Sequence, residues 1–406
     1  MANDKERKLL DRALSEINSI RGRKPAANDE LRSVERRNFF EISAKFGFTA
    51  AVVAAGAGTL FSREAAAQTA QEEQEREKSA KTKITLATEY RVGTTRSYPV
   101  IQLNVKENLQ NFTNGRIYVK LQAGGALGIG TALAQKVQAG TVEVGQFSLS
   151  NFAPFAPAVD LINLPYWCGE NQKFVNLVTS DVWENQVNKL VREKGFEPMF
   201  YFCIDPRTAA KRRGLPGGPF KTPKDLEGIK FRVPGSEILK QFYRLLGANP
   251  TPVAWGETAS ALKQGVADAL DPALGALYAF GFKDILSHVT FNRPVPDSQV
   301  YAMNKGWFDG LDKETRQSIR DAADVCLQQN LSQVPASRAF AMAEMSKAGV
   351  EFYVPTADEL AQWKEKSGAQ RKEWDDIKTK ILGSPDKFKP LVDAANKPSK
   401  YFVNDI

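Results

Sequence analysis

The side chains that most often do chemistry are sparse here and fall into no catalytic pattern. The chain has a single histidine, His288. A histidine-based triad has no other base to use, and a multi-histidine metal centre is impossible. His288 sits in Ile285-Leu-Ser-His-Val, an apolar setting that reads as structural. The three cysteines, Cys168, Cys203 and Cys326, have no CxxC spacing, so zinc and thioredoxin-type chemistry lack support. They read as small buried hydrophobes. No serine lies in a G-x-S-x-G elbow. No spacing of Asp and Glu singles out an acid–base pair. The stretch Gly125-Ala-Leu-Gly-Ile-Gly130-Thr131 looks like a phosphate loop, but Thr131 stands where that loop needs a lysine. It reads as a turn that leads the backbone into a helix. The densest basic run is Arg207, Lys211, Arg212 and Arg213, too short for a nucleic-acid patch.

With 406 residues, 42% hydrophobic and 25% charged, the chain can build roughly two domains with real cores. Disorder throughout, collagen and a disulfide scaffold are excluded. No run of about 18 apolar residues appears, which excludes a polytopic membrane protein. The net charge of +8 is partly local: residues 1–67 carry 12 basic and 9 acidic side chains, leaving +5 for the rest. That is mild and argues against nucleic acid as a partner.

The first 67 residues read as an address. Arg36-Arg37 followed by Phe39-Phe40 resembles a twin-arginine export signal. The apolar stretch Phe46–Phe61 is short and rich in Ala and Gly. Ala65-Ala66-Ala67 fits a small-residue cleavage site that leaves Gln68 at the new N-terminus. The expected destination is the periplasm. Residues 68–83 are polar and read as a tether, helical in part.

The elements that must position any site start near Ile84. Ile84–Thr88 is β-prone, Tyr98–Phe112 has helical spacing, Ile117–Gln122 alternates as a strand, and Val142–Leu149 is the next strand. Between them a glycine-rich loop enters helix Thr131–Ala139, which Gly140 can stop. The same grammar returns at Ile229–Val233, Ser236–Leu246 and Val266–Leu270. Strands alternating with helices argue for α/β lobes. Two similarly built lobes with a crevice between them suit a small ligand. Lys313–Gln329, Ala336–Ala348 and Thr356–Lys380 read as amphipathic helices that buttress both lobes.

Several stretches then occur together and in order: Phe112-Thr-Asn-Gly-Arg-Ile-Tyr-Val-Lys, Gly124-Gly-Ala-Leu-Gly, Val137-Gln-Ala-Gly-Thr-Val-Glu, Leu164-Pro-Tyr and Thr222-Pro-Lys-Asp-Leu-Glu-Gly-Ile-Lys-Phe-Arg-Val-Pro. Leu246-Gly-Ala-Asn-Pro-Thr-Pro-Val-Ala-Trp-Gly-Glu and Ala261-Leu-Lys-Gln-Gly-Val-Ala-Asp follow. From about Ile84 to Ala323 the sequence resembles the extracytoplasmic solute-binding subunit of a TRAP transporter (the DctP family). The resemblance implies an α/β, two-lobed periplasmic-binding-protein-like clamp with a hinge and a helical C-terminal region. Residues 84–205 with 298–338 would form lobe I. Residues 206–297 with 339–406 would form lobe II, including the C-terminal helices. It implies a small carboxylate solute handed unchanged to membrane subunits, with no cofactor or metal and no catalysis. A monomer and a homodimer both fit. An exported enzyme acting on a small carboxylate is the rival, and no nucleophile or metal set supports it.

The resemblance also assigns residues. The family's carboxylate-binding arginine falls on Arg232, whose planar fork can hold both carboxylate oxygens. A second arginine falls best on Arg207, although the insertion Gly214-Leu-Pro-Gly-Gly-Pro leaves Arg212 and Arg213 as alternatives. Trp255 takes the place of an aromatic against the solute. Lobe I is expected to contribute Glu89, Tyr90, and residues from Ser148 to Phe152. Asp271 stands where the family has an asparagine. An acid there suits a solute with hydroxyl or amino groups, or a bound cation.

Overall fold

The computed structural model describes residues 63–92 and 98–403. The Arg36-Arg37 pair and the apolar stretch after it lie outside the described residues. The chain divides into two compact units, Met1–Glu75 and Arg76–Ile406. The second holds both sheets and the cleft. Helix α1, Arg63–Ser79, covers most of the expected tether. Among the described residues no helix is long and apolar enough to cross a membrane.

Two sheets form the two lobes. In lobe I, β1 (Thr82–Thr88), β2 (Ile117–Gln122), β3 (Val144–Ser148), β4 (Phe196–Pro206) and β10 (Pro296–Asn304) lie in the order β2-β1-β3-β10-β4. Strands β2, β1 and β3 are parallel, while β10 runs antiparallel to β3 and β4. In lobe II, β5 (Ala209–Arg212), β6 (Lys230–Val233), β7 (Asn249–Pro252), β8 (Ala269–Leu270), β9 (Leu286–Thr290) and β11 (Glu351–Tyr353) lie in the order β11-β9-β5-β8-β6-β7. Ligand sites in such sheets favour the carboxyl ends of parallel strands. Glu89, Ser148 and Arg232 stand at or just inside those ends.

The lobes are joined where strands change sheets. β4 runs through Arg207 and Thr208 straight into β5, and β9 returns through residues 291–295 into β10. A 35-residue helix, Lys313–Lys347, packs along both lobes. The sequence pattern suggested two helices separated near Pro335. Proline should cost an interior helix about 3 kcal/mol. Here both halves are held by separate cores, with Leu327, Leu331 and Val334 buried on one side of Pro335 and Ala341 and Met345 on the other. The backbone therefore continues through it.

Two contacts fasten this helix to the crossing strand. The Asn330 amide donates to the Cys203 and Pro99 carbonyls at 2.8 Å each and accepts from the Cys203 amide at 3.0 Å. Arg338 grips Asp205 with two bonds, Nε to Oδ2 at 2.7 Å and Nη2 to Oδ1 at 2.6 Å. Asp205 lies two residues before the sheet change.

The C-terminal region corrects the expected lobe boundary. Ala357–Ser367 stays with lobe II, where Trp363 Nε1 donates to the Lys221 carbonyl at 2.8 Å. The chain then leaves it. Phe388–Asn396 packs on lobe I, with Phe388 4.7 Å from the Trp167 ring centroid and the Ala395 carbonyl accepting from Asn176 at 3.2 Å. The apolar face Phe388, Leu391, Ala394 and Ala395 is buried in the same core as Trp167 and Phe174. All three cysteines are free and buried. His288 sits on β9, with Nε2 3.7 Å from Glu351 on the neighbouring edge strand, and not in the cleft.

The Asp205–Arg338 pair is largely shielded, with side chains 7% and 11% exposed. Removing Arg338 takes from the buried Asp205 carboxylate its counter-charge. Arg338→Met should lower the unfolding free energy by about 3 kcal/mol in urea titration, and adding Asp205→Leu should recover most of it. A single variant as stable as the parent would show that this pair does not secure the hinge.

Candidate functional site

Two adjoining chambers lie between the lobes, and Glu89, Asn151, Arg232, Pro234 and Trp255 line both. The inner chamber has a volume of about 30 Å³, room for a water or two. The outer one has about 310 Å³, within the range of small-molecule sites.

Arg207 forms the floor. It sits on the strand crossing, and its side chain is 4% exposed. Nη1 meets Asp271 Oδ1 at 2.9 Å, and Nη2 meets Asp297 Oδ1 at 3.0 Å and the Ser150 hydroxyl at 3.1 Å. Burial works against its charge, but the two carboxylates outweigh burial and hold its pKa above the usual arginine value. Asp297 is pushed upward by burial, with Arg207 opposing that shift. The guanidinium thus has its counter-charges inside the protein.

Arg232 is different. It is the penultimate residue of β6, shortly before Pro234-Gly235 and the helix Glu237–Leu245, whose first turn is capped by Ser236 Oγ accepting from the Leu239 amide at 3.0 Å. Its Nε and Nη2 donate to one carbonyl, Val253, at 3.0 and 2.8 Å. Its guanidinium lies 5.3 Å from the Trp255 ring centroid. It is 3% exposed, yet among the described residues it makes no ion pair. Burial without a partner carries its pKa down to about 10. A desolvated, unpaired guanidinium opening on a chamber is a site for an anion.

Lobe I supplies the facing wall. Glu89 and Tyr90 follow β1, and the glycine-rich loop secures them: the Gly124 amide donates to the Tyr90 carbonyl at 2.9 Å and the Gly125 amide to the Thr88 carbonyl at 3.0 Å. Both glycines have φ near +70° to +77°, where a side chain is strained, and a Cβ on Gly125 would meet Ile129 at 2.9 Å. Glu89 is half-buried. Burial raises its pKa, with Tyr90, the Gly130 amide and Arg232 drawing it back. The Tyr90 hydroxyl accepts from Tyr98 at 3.2 Å, and Gln299 donates to Tyr98 at 2.9 Å while accepting from Gln146 at 2.6 Å. These bonds stiffen the wall.

Of the expected residues, Arg232, Arg207, Trp255, Glu89, Tyr90 and Ser148 line the inner chamber. Phe152 does not. It is fully buried in lobe I, stacked on Phe147 at 5.2 Å and edge-on to Phe196 at 4.7 Å. Residues Leu149–Phe152 form one helical turn, so a step of one residue rotates the side chain by about 100°. Asn151 takes the cleft position instead. Asp271 is fully buried behind Arg207 and reaches neither chamber; it neutralises the floor arginine. Asp297, Tyr98 and Gln299 were missed. They come from the hinge strand β10 and the segment before Gln102, which carry no local motif.

A larger cavity of about 430 Å³ lies on lobe I away from the cleft. Four of its charged side chains are already paired, Arg192 with Glu184 and Glu197 at 2.6 and 2.7 Å and Asp324 with Lys400 at 2.7 Å. Among the described residues no cluster of His, Cys, Asp and Glu is placed to hold a metal ion.

The two arginines should respond oppositely to removal. Arg207→Met leaves Asp271 and Asp297 buried without a counter-charge and should cost about 3–5 kcal/mol of stability. Arg232→Met removes an unpaired buried charge and should leave the urea midpoint unchanged or raised. Equal losses for both would contradict the division into floor and anion site.

The sequence profile of bacterial extracellular solute-binding protein family 7 (DctP) matches residues 98–376. The 2,3-diketo-L-gulonate-binding periplasmic protein of Escherichia coli is 24% identical over 262 residues, 64% of this chain and 78% of its own. A TRAP periplasmic solute-binding protein from Roseobacter denitrificans, solved with bound β-D-glucuronate, superposes with a TM-score of 0.69 at 22% identity, covering 78% of this chain and all of that one. One from Sulfurospirillum deleyianum with bound succinate has a TM-score of 0.67 at 18% identity, covering 79% and 100%. With the profile spanning well over half its length and a two-lobed α/β frame around a buried arginine, this chain belongs to the DctP family of bacterial extracellular solute-binding proteins.

Proposed function

We propose that the chain is the periplasmic subunit of a TRAP-type transporter, capturing a small organic acid between its lobes and passing it unchanged to membrane subunits. The observation that carries the reading is Arg232, buried in the interlobe chamber without an ion-pair partner among the described residues. Carboxylate ligands in the relatives' names agree with it. The Arg36-Arg37 sequence supports export by the twin-arginine route, with Gln68 as the mature N-terminus.

In this reading Arg232 of lobe II holds the solute carboxylate, and Trp255 supports both the guanidinium and the apolar face of the solute. Glu89, Tyr90, Ser148 and Asn151 of lobe I meet its other side. A solute touching both lobes shifts the population toward the closed clamp. Arg207 fixes the geometry where the chain crosses between lobes. Release in this reading is simply reopening.

A thermal-shift screen of organic acids should find ligands that raise the melting temperature, because a ligand bound only to the folded state stabilises it by RT ln(1 + [L]/Kd). Arg232→Ala should abolish that rise and weaken binding by about 2–5 kcal/mol in calorimetry. Full affinity in that variant for every stabilising acid would refute the assignment. Small-angle scattering should show compaction at saturating ligand; unchanged dimensions would argue against a closing clamp.

A further inference from the structure

We infer that the solute carries a single carboxylate and, at its other end, a cationic nitrogen, so that the cleft accepts a zwitterion and rejects a dicarboxylate. This rests on the organic-acid reading above and narrows it.

The fixed charges around the inner chamber lead to it. Arg207 is committed to Asp271 at 2.9 Å and Asp297 at 3.0 Å. Lys240, which lines the outer chamber, is paired with Glu237 at 2.7 Å, so among the described residues lining the chambers that leaves one guanidinium, Arg232, and one carboxylate, Glu89. Both line the two chambers, and they make no ion pair with each other. They also come from opposite lobes: Glu89 follows β1 and Arg232 is the penultimate residue of β6. Closure over a ligand removes water, after which each of these charges needs an opposite charge of its own.

A carboxylate on Arg232 settles the lobe II side. A second carboxylate at the far end would then face Glu89, with Asp297 nearby, a like-charge placement in a dry cleft. A hydroxyl can donate to Glu89 but leaves its charge uncompensated. A cationic nitrogen supplies what is missing. The aromatic surroundings favour the same group. Tyr90, Tyr98 and Trp255 line the inner chamber, and Phe280 packs against all three at centroid distances of 5.4, 5.9 and 5.0 Å. Aromatic faces attract cations. A zwitterion lying across the gap ties Glu89 of one lobe to Arg232 of the other, so both of its charges contribute to closing the clamp.

Calorimetry on the mature protein with two matched series tests this: succinate, γ-hydroxybutyrate and γ-aminobutyrate, and glucarate, gluconate and 6-amino-6-deoxygluconate. The amino member should bind about tenfold or more tightly than its hydroxyl counterpart in at least one series, with the dicarboxylate weakest. Glu89→Gln should erase the amino advantage, while Arg232→Ala should abolish binding of every member. An amino advantage that survives Glu89→Gln overturns the inference. So does binding confined to acids without a cationic nitrogen, in these series or in the wider screen; in that case the organic-acid reading still stands. If no carboxylate binds at all, that reading fails and this inference falls with it.

Discussion

The structure depends on how it distributes two buried guanidiniums. Arg207 and Arg232 are both almost excluded from solvent, and a buried cation is tolerable only with compensation. The fold compensates one completely and the other hardly at all. Arg207 has two carboxylates, and Arg232 has a peptide carbonyl and an indole face. On the proposed reading, this difference separates a structural charge from a binding one. It also locates the free energy available for binding. An anion arriving at Arg232 meets a group that has already lost its water, so a large part of the desolvation cost was met during folding.

This arrangement constrains the hinge. Arg207 stands on the β4–β5 crossing and Asp297 opens β10, at the returning crossing. Their ion pair therefore staples the two interlobe strands at the bottom of the cleft. Two residues earlier, Asp205 is held by Arg338 from the long helix. Lobe motion has to leave these bonds intact, because breaking either would strand a buried charge. Opening is thus confined to rotation about a floor that stays assembled. Walls that move over a fixed floor let the clamp change the volume of the chambers without disturbing the electrostatics that hold Arg232 free.

Much of the frame was legible because it is local. The alternation in Ile117–Gln122 matches β2 residue for residue, and the run read as a helix over Ser236–Leu246 is placed by the structure at Glu237–Leu245, with Ser236 as its cap. Arg232 could be read from its motif because the strand end and the following Pro234-Gly235 fix its position within a few residues. The failures are non-local. Asp297 pairs with a side chain 90 residues away, and no pattern along the chain announces that. Asp271 was expected in the cleft because the resemblance sets it where the family has an asparagine; only the placement of Arg207 reveals that the carboxylate is needed behind the wall. Phe152 was lost to a single helical step, and Pro335 to the assumption that a proline ends a helix even where packing on both sides holds it.

The glycine-rich loop joins these two kinds of information. Read along the chain, Gly124–Gly130 is a turn into a helix, and it does serve that purpose. In three dimensions its amides hold the carbonyls of Thr88 and Tyr90, the residues that flank Glu89. The backbone there must approach closely and adopt positive φ, which glycine permits. The loop thereby sets where Glu89, the cleft carboxylate that makes no ion pair among the described residues, stands relative to Arg232. Its conformational requirement and the charge pattern of the cleft are parts of the same constraint: a rigid platform is what allows a lone carboxylate and a lone guanidinium to be held apart at a distance that a ligand, and not the protein itself, can bridge.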